Sequence, residues 1–138
     1  MGFRKMFMAM TVAKFANHRL TLSAAGMPFT LVNRAATGNT EKVILKAMPL
    51  GSFPNFEYRQ KSLQLRPGDT VLFVSDGLHE TFNTREEMLG EGRVMRIFTE
   101  IANKRPDKIV AHLSKAARSW AKGRMQHDDM TILAMKMK

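Results

Sequence analysis

The chain has 138 residues, a length that predicts one domain with its own buried core. It contains no cysteine, which excludes disulfides and thiolate zinc sites and favours a reducing compartment, so we expect a cytoplasmic protein. No run approaches the roughly 18 apolar residues that cross a bilayer, so we expect no membrane contact from this segment.

The net charge of +10 points to a polyanionic partner. A basic surface attracts nucleic acid by releasing counterions, but Lys and Arg are spread along the chain without a run of four and without a nucleic-acid motif. An acidic or phosphorylated protein fits the same charge equally well. Because charge alone is a weak signal, we expect no nucleic-acid partner.

Short apolar runs separated by turn residues predict strands over the first half of the chain. In order, they cover residues 6–15, 19–24, 28–33, 42–46, 58–65 and 70–75. The separators are typical of tight turns, as in the Arg-Pro-Gly-Asp sequence at residues 66–69, where proline presets φ and glycine permits a positive φ. These runs predict a meander of antiparallel strands.

After Asp76 the apolar period becomes helical. The apolar positions of two helices recur with helical spacing: Val94, Ile97, Phe98 and Ile101 form one stripe, and Ile109, Leu113, Ala116 or Ala117, and Trp120 form another. Pro106 marks the start of the second helix, and Gly123 follows its end. Residues 130–137 return as a strand, so the pattern predicts an α+β fold of antiparallel β-sheets with helices packed on the outer face.

Two acidic clusters lie at the ends of apolar runs, at Ser75-Asp76-Gly77-Leu78 and His127-Asp128-Asp129-Met130-Thr131. If the fold pairs these runs side by side, the carboxylates converge, and converging carboxylates bind hard cations such as Mg²⁺ and Mn²⁺. Gly77 would allow the close backbone approach that such a site requires. The alternative is an ordinary Asp-Gly turn with Asp128 as a loop cap. His79 and Glu80 follow the first cluster and could lie near the site, but Glu80 is interpreted as an acid at the start of a helix.

Six short motifs follow one another in a distinctive order. They are Ser23-Ala24-Ala25-Gly26-Met27-Pro28, Met48-Pro49-Leu50-Gly51, Leu65-Arg66-Pro67-Gly68-Asp69, Ser75-Asp76-Gly77-Leu78-His79-Glu80, Leu89-Gly90 and Asp128-Asp129-Met130-Thr131. Together they resemble the C-terminal part of the catalytic domain in the SpoIIE-like bacterial branch of the metal-dependent (PPM) serine/threonine protein phosphatases. The resemblance covers nearly the whole chain and implies that residues 1–138 are one domain, the C-terminal portion of an α-β-β-α sandwich.

The resemblance implies hydrolysis of phosphoserine or phosphothreonine in a protein by water activated at a two-metal centre of Mn²⁺ or Mg²⁺. It implies that Asp76 and Asp128 are metal ligands, that Asp129 supports them beside Gly77, and that no catalytic residue is needed beyond the ligands. Relatives of this branch typically act on anti-sigma-factor antagonists in bacterial signal transduction, which implies a phosphorylated regulatory protein as substrate. The alternative is a non-catalytic module that keeps the fold to bind such a protein.

Complete domains of this family carry two further motifs that supply metal ligands, and neither precedes the first predicted strand of this sequence. Asp76 and Asp128 leave at most two carboxylates for a centre that needs at least three, so we expect little activity from these 138 residues. The missing part would cover strand edges, so we expect an exposed N-terminal strand and either a homodimer or marginal stability. The alternation of Met6, Met8 and Met10, by contrast, predicts that they pack on the core.

Overall fold

The protein is represented by a computed structural model in which residues 6–126 and 128–138 are described. Within these residues the chain forms the strands β1 (Met10–Ala16), β2 (Arg19–Ala25), β3 (Phe29–Asn33), β4 (Thr40–Ile44), β5 (Lys61–Gln64), β6 (Thr70–Val74) and β7 (Ile132–Lys136). The helices are α1 (Asp76–His79), α2 (Glu91–Ile101) and α3 (Pro106–Ala121). No helix in this described part of the chain is both long and apolar enough to span a membrane.

The predicted α+β fold and the order of its elements are confirmed. The start of a strand differs most at β1, which begins at Met10 rather than at residue 6, and next at β5, which begins at Lys61 rather than at residue 58. Side chains before β5 make loop contacts instead. Tyr58 donates a hydrogen bond from its hydroxyl to the carbonyl of Met48 at 3.1 Å, and its ring lies 4.9 Å from that of Phe56. A short helix, α1, also follows β6 directly.

The described residues fall into two compact units, and the single domain predicted from length stays a prediction. The first unit comprises the described residues of Met1–Phe29 and Ile44–Leu65 and holds an antiparallel sheet in the order β1-β2-β5. Asn17 and His18 join β1 to β2 with φ of 50° and 58°. Two successive positive φ values match the right-handed twist of a hairpin, and asparagine tolerates that conformation well.

Strand β1 lies at an edge of this sheet, and its side chains are mostly exposed. Met6 is 87% exposed and Met8 54%, so the prediction that these methionines pack on the core is wrong. Alternation decides which face a side chain joins, but a face is buried only when another layer covers it. The expectation of an exposed N-terminal strand is confirmed, since Val12 and Phe15 are exposed as well.

The second unit comprises Thr30–Val43 and the described residues of Arg66–Lys138, and it contains the order β4-β3-β6-β7. Strand β6 is antiparallel to both β3 and β7, and Val71 and Leu72 in it are fully buried. Helix α3 packs against β7 of this sheet, and the end of α2 is linked to the sheet by hydrogen bonds. The carbonyl of Ala102 accepts hydrogen bonds from the Thr70 hydroxyl and the Lys136 ammonium group, each at 3.0 Å.

A buried carboxylate ties the turn before β6 to the turn between β3 and β4. Asp69 is only 2% exposed and accepts hydrogen bonds from the backbone N–H groups of Arg66 and Ala35 and from the Arg34 guanidinium, all at 3.0 Å. Burial by itself raises the pKa of Asp69, but these donors favour the charged form and hold its pKa below the ordinary aspartate value. The ionised carboxylate is therefore part of the folded structure.

Replacement of this carboxylate, Asp69→Asn, is expected to lower the free energy of unfolding at pH 7 by about 3 kcal/mol, because it leaves Arg34 without a buried counter-charge. The pKa of Asp69 is lower in the folded protein than in the unfolded one. The ionised carboxylate therefore contributes its full share of the free energy of unfolding above the ordinary aspartate pKa of about 3.9, and this share is lost as the pH falls through the pKa of the folded protein. Chemical denaturation of both proteins at neutral and acidic pH measures this difference, which should shrink in acid.

Glu41→Gln is the matched control, because Glu41 pairs with the same Arg34 at 3.0 Å while its side chain is 47% exposed. An exposed pair contributes at most about 1 kcal/mol. If the two variants lost equal amounts of unfolding free energy, the conclusion that Asp69 stabilises the fold more than Glu41 does would be contradicted.

Candidate metal centre

The pairing of β6 with β7 brings the two acidic clusters to one end of the sheet. The strands are antiparallel, with Val74 opposite Ile132, so β6 ends where β7 begins. Asp76 lies a few residues after the end of β6, and Asp128 lies a few residues before the start of β7. The predicted side-by-side arrangement of the two apolar runs is therefore confirmed.

Ser75 binds the two segments together. Its N–H donates to the carbonyl of Thr131 at 3.0 Å, and its hydroxyl accepts from the Thr131 N–H at 2.8 Å and donates to the Asp129 carbonyl at 3.3 Å. This role of Ser75 was not predicted from the sequence. Its signal was a hydroxyl, which can donate and accept at once, directly before Asp76. Ser75 also stands at the N-cap of α1, but its side chain makes no capping hydrogen bond there.

Gly77 lies against the backbone of the last acidic cluster. A Cβ atom at this position would be 2.2 Å from the carbonyl oxygen of Asp129 and 3.1 Å from Cα of Met130. No side chain can occupy that space unless the backbone moves. The predicted close approach is present, and glycine is required there for space.

Helix α1 gathers three potential ligands. Asp76, His79 and Glu80 each offer one ligand atom, and these atoms all lie within 4.8 Å of one another. Glu80 is at the C-terminal end of α1, so its interpretation as an acid at the start of a helix is wrong. The difference arises because the chain begins a single helical turn directly after β6. His79 and Glu80 lie three and four residues after Asp76, and this spacing could have indicated that the three side chains share one face of a helix.

The donors of this cluster fit a divalent cation. Asp76 and Glu80 offer carboxylate oxygens at the surface, while His79, which is largely buried, offers an imidazole nitrogen. Oxygen donors suit Mg²⁺ and Mn²⁺, and an imidazole nitrogen is better tolerated by Mn²⁺. The Nε2 atom of His79 lies 3.8 Å from Oδ1 of Asp76.

Asp128 and Asp129 are exposed and stand outside this cluster of described residues. Oδ1 of Asp128 accepts a hydrogen bond from the Asp129 N–H at 2.8 Å, and the Asp128 carbonyl accepts one from the Gln126 side chain. The Asp128 carboxylate thus caps its own loop, as the alternative interpretation predicted. His127 lies outside the described residues. The assignments of Asp76 and Asp128 as metal ligands stay predictions.

A cavity of about 260 Å³ adjoins both clusters. Gly77, Glu80 and Asp128 line one part of it, and Arg118 and other residues of α3 line another. Because both acidic residues (Glu80, Asp128) and basic residues (Arg118, Arg124) line the cavity, its charges suit a group that binds both a cation and an arginine. A phosphate ester has that property.

Comparisons with known proteins agree on a family and a fold. The model of the family described as Stage II sporulation protein E (SpoIIE) matches residues 2–138. No sequence among the curated proteins matches the chain.

Among solved structures, the SiaA-PP2C domain of Pseudomonas aeruginosa superposes with a TM-score of 0.76 at 16% identity, covering 88% of this chain and 47% of that one. The Mn-presoaked phosphatase domain of SpoIIE from Bacillus subtilis gives 0.73 at 17% identity, with coverages of 94% and 56%. The RsbU and RsbW domains of Rv1364c from Mycobacterium tuberculosis give 0.70 at 26% identity, with coverages of 93% and 35%. The fold is that of PP2C phosphatase domains, and this chain spans about half the length of the first two structures.

Gly77→Ala is expected to lower the free energy of unfolding by at least about 2 kcal/mol, because the added methyl group would overlap the Asp129 carbonyl. The amide resonances of Ser75, Asp129 and Met130 should shift as that backbone moves. Chemical denaturation and two-dimensional NMR measure these effects.

Gly92→Ala in α2 provides the control, since a Cβ there meets nothing within 4 Å outside its own helix backbone. Its stability should stay unchanged or rise by up to about 1 kcal/mol. If Gly77→Ala kept wild-type stability and an unshifted Asp129 resonance, residue 77 would lie farther from the Asp129 carbonyl than the structure indicates.

Proposed function

The chain belongs to the SpoIIE family, and from that premise we propose that it forms part of a metal-dependent protein phosphatase domain that hydrolyses phosphoserine or phosphothreonine. The observation that carries the proposal is the junction of the two acidic clusters, which Ser75 holds together with three hydrogen bonds. This junction places the carboxylate-imidazole cluster and the Asp128 loop beside one cavity.

Each residue of the junction has a role in this proposal. Asp76 binds a cation together with His79 and Glu80, and Asp128 lines the same cavity as Glu80. Gly77 and the Asp129 backbone hold these two segments in contact. When bound, Mn²⁺ or Mg²⁺ supplies an activated water for hydrolysis of the phosphate ester.

The proposed substrate is a phosphorylated regulatory protein, such as an anti-sigma-factor antagonist. Rv1364c from Mycobacterium tuberculosis contains an RsbU domain together with an RsbW domain, and PppA of Pseudomonas aeruginosa is described as a key regulatory component of T6SS. Both descriptions concern those proteins, and they support a role in signal transduction here. A cytoplasmic location stays a prediction.

The donors within the described residues suffice for one ion and fall short of two. Asp76, His79 and Glu80 form one cluster, whereas the Asp128 carboxylate is engaged with its own loop. A two-metal centre requires ligands that bridge both ions. We therefore propose that the 138 residues alone bind one Mn²⁺ weakly and hydrolyse little phosphoprotein.

Calorimetric titration of Mn²⁺ into the full chain is expected to show one weak site. Asp76→Asn should weaken it by about tenfold or more, because it removes a charged ligand from the cluster. Asp107→Asn removes an equal charge at an exposed position beside Arg105 and should leave binding unchanged.

Two results would contradict this proposal. Equal Mn²⁺ binding by wild type and Asp76→Asn would remove the metal site and favour the non-catalytic module that binds a phosphorylated protein. Rapid Mn²⁺-dependent release of phosphate from a phosphoprotein, abolished by Asp76→Ala, would show that the 138 residues complete the centre themselves.

The exposed apolar side chains of β1 support a homodimer through that strand. Val12→Lys is expected to weaken association by about tenfold or more, because an unpaired charge at an apolar interface is costly. Ile44→Lys, an equally exposed apolar position in β4, should have little effect. Sedimentation equilibrium measures both, and a wild-type chain that stays monomeric at all concentrations would contradict the dimer.

A further inference from the structure

Helix α3 presents a line of cations to solvent. We call the exposed residues Lys108, His112, Lys115 and Arg118 of α3, together with Lys104 before it and Lys122 directly after it, the basic face of α3. Lys108, Lys115 and Lys122 are seven residues apart, so they lie nearly in line along the helix and span about 21 Å. The opposite side packs inward through Ile109, Leu113 and Ala117.

The basic face has little compensating charge. Asp107 is the only acid in the sequence of α3, and it pairs with Arg105 at 3.2 Å. None of the ion pairs recorded for the described residues involves Lys108, Lys115 or Lys122. Like charges on neighbouring helical turns repel and slightly destabilise the helix. A row of exposed cations without paired acids among the described residues is a candidate surface for an acidic partner.

The basic face joins two concave regions of the same compact unit. At its N-terminal end, Lys104, Lys108, His112 and Lys115 line a shallow depression of about 600 Å³. At its other end, Arg118 lines the cavity that Gly77, Glu80 and Asp128 share. A ligand that lies along α3 would therefore reach the candidate metal centre.

We propose that the basic face of α3 is a docking surface for an acidic segment of the phosphoprotein substrate, which it directs toward the cavity beside Asp128. The inference rests on the proposed function, because it places the phosphorylated residue at that cavity. It adds a determinant of specificity: substrates need acidic residues at a distance from the phosphate.

The charges around the cavity favour a polypeptide over nucleic acid. Glu80 and Asp128 line the cavity at the end of the face and would repel a continuous polyanion. A polypeptide can place its carboxylates on the lysines and a single phosphorylated residue at the cavity. The face also lacks the exposed aromatic side chains on which bases stack, and the apolar side of α3 is buried and cannot enter a bilayer.

The test is fluorescence anisotropy with the full chain and a labelled peptide that carries one phosphoserine and about six aspartates, enough to span about 21 Å when extended. Lys108→Gln/Lys115→Gln/Lys122→Gln should weaken binding by about tenfold, since three exposed charge contacts are lost. Lys14→Gln/Lys46→Gln/Lys61→Gln removes the same charge at exposed positions of the other unit and should change binding by less than about twofold. Circular dichroism verifies that both variants fold.

Three results would overturn the proposal. The α3 variant could bind the peptide as wild type does, or both triple variants could lose binding equally, which would indicate general charge attraction. A duplex oligonucleotide or a phosphatidylserine vesicle could bind more tightly than the peptide and depend on the same lysines, which would assign the face to nucleic acid or membrane.

The same variants separate docking from the proposed function. A peptide with the aspartates but no phosphoserine should bind Asp76→Asn as tightly as wild type, because docking does not use the metal site. Loss of docking in the α3 variant with Mn²⁺ binding retained supports the docking surface by itself. Absence of Mn²⁺ binding with docking intact would remove the phosphatase centre and leave the docking surface.

Discussion

The candidate site depends on how the end of β6 is tied to the segment before β7. Ser75 forms this tie with its backbone N–H and with a hydroxyl that donates and accepts at the same time. Antiparallel pairing brings the strands together, but it does not by itself position the loop that precedes β7. The three hydrogen bonds do so, and they press the Asp129 carbonyl against α1. That contact is possible only because residue 77 has no side chain.

This geometry explains why the ligand cluster lies within a single helical turn. Once the chain leaves β6 and turns at Asp76, residues three and four positions later return to the same side of α1, which places His79 and Glu80 beside that carboxylate. Asp128 reaches the neighbouring cavity from a separate loop, with its carboxylate held by the next N–H group. The described residues thus contain one compact set of potential ligands and one acid at its periphery.

Electrostatics acts in opposite ways in different parts of the second unit. Arg34 and Asp69 pair in a buried setting where each charge satisfies the other, and this pair stabilises two turns of the sheet. Along α3 the basic side chains face solvent, and Asp107 is the only acid in the helix. The large positive charge of the chain is therefore more than a general property of its surface, because one helix concentrates part of it in a row that ends at the cavity.

The sequence by itself determined the α+β class, the order of the elements, the turns and the two acidic clusters, because periodicity and turn chemistry are local properties of the chain. It also indicated the close approach at Gly77, since an Asp-Gly pair after a buried strand is a local signal. It could not decide whether the methionines before β1 would be covered, nor that Ser75 would bind Thr131 and Glu80 would join Asp76. Only the tertiary structure decided these, since they depend on contacts between distant segments and on how one helical turn is placed.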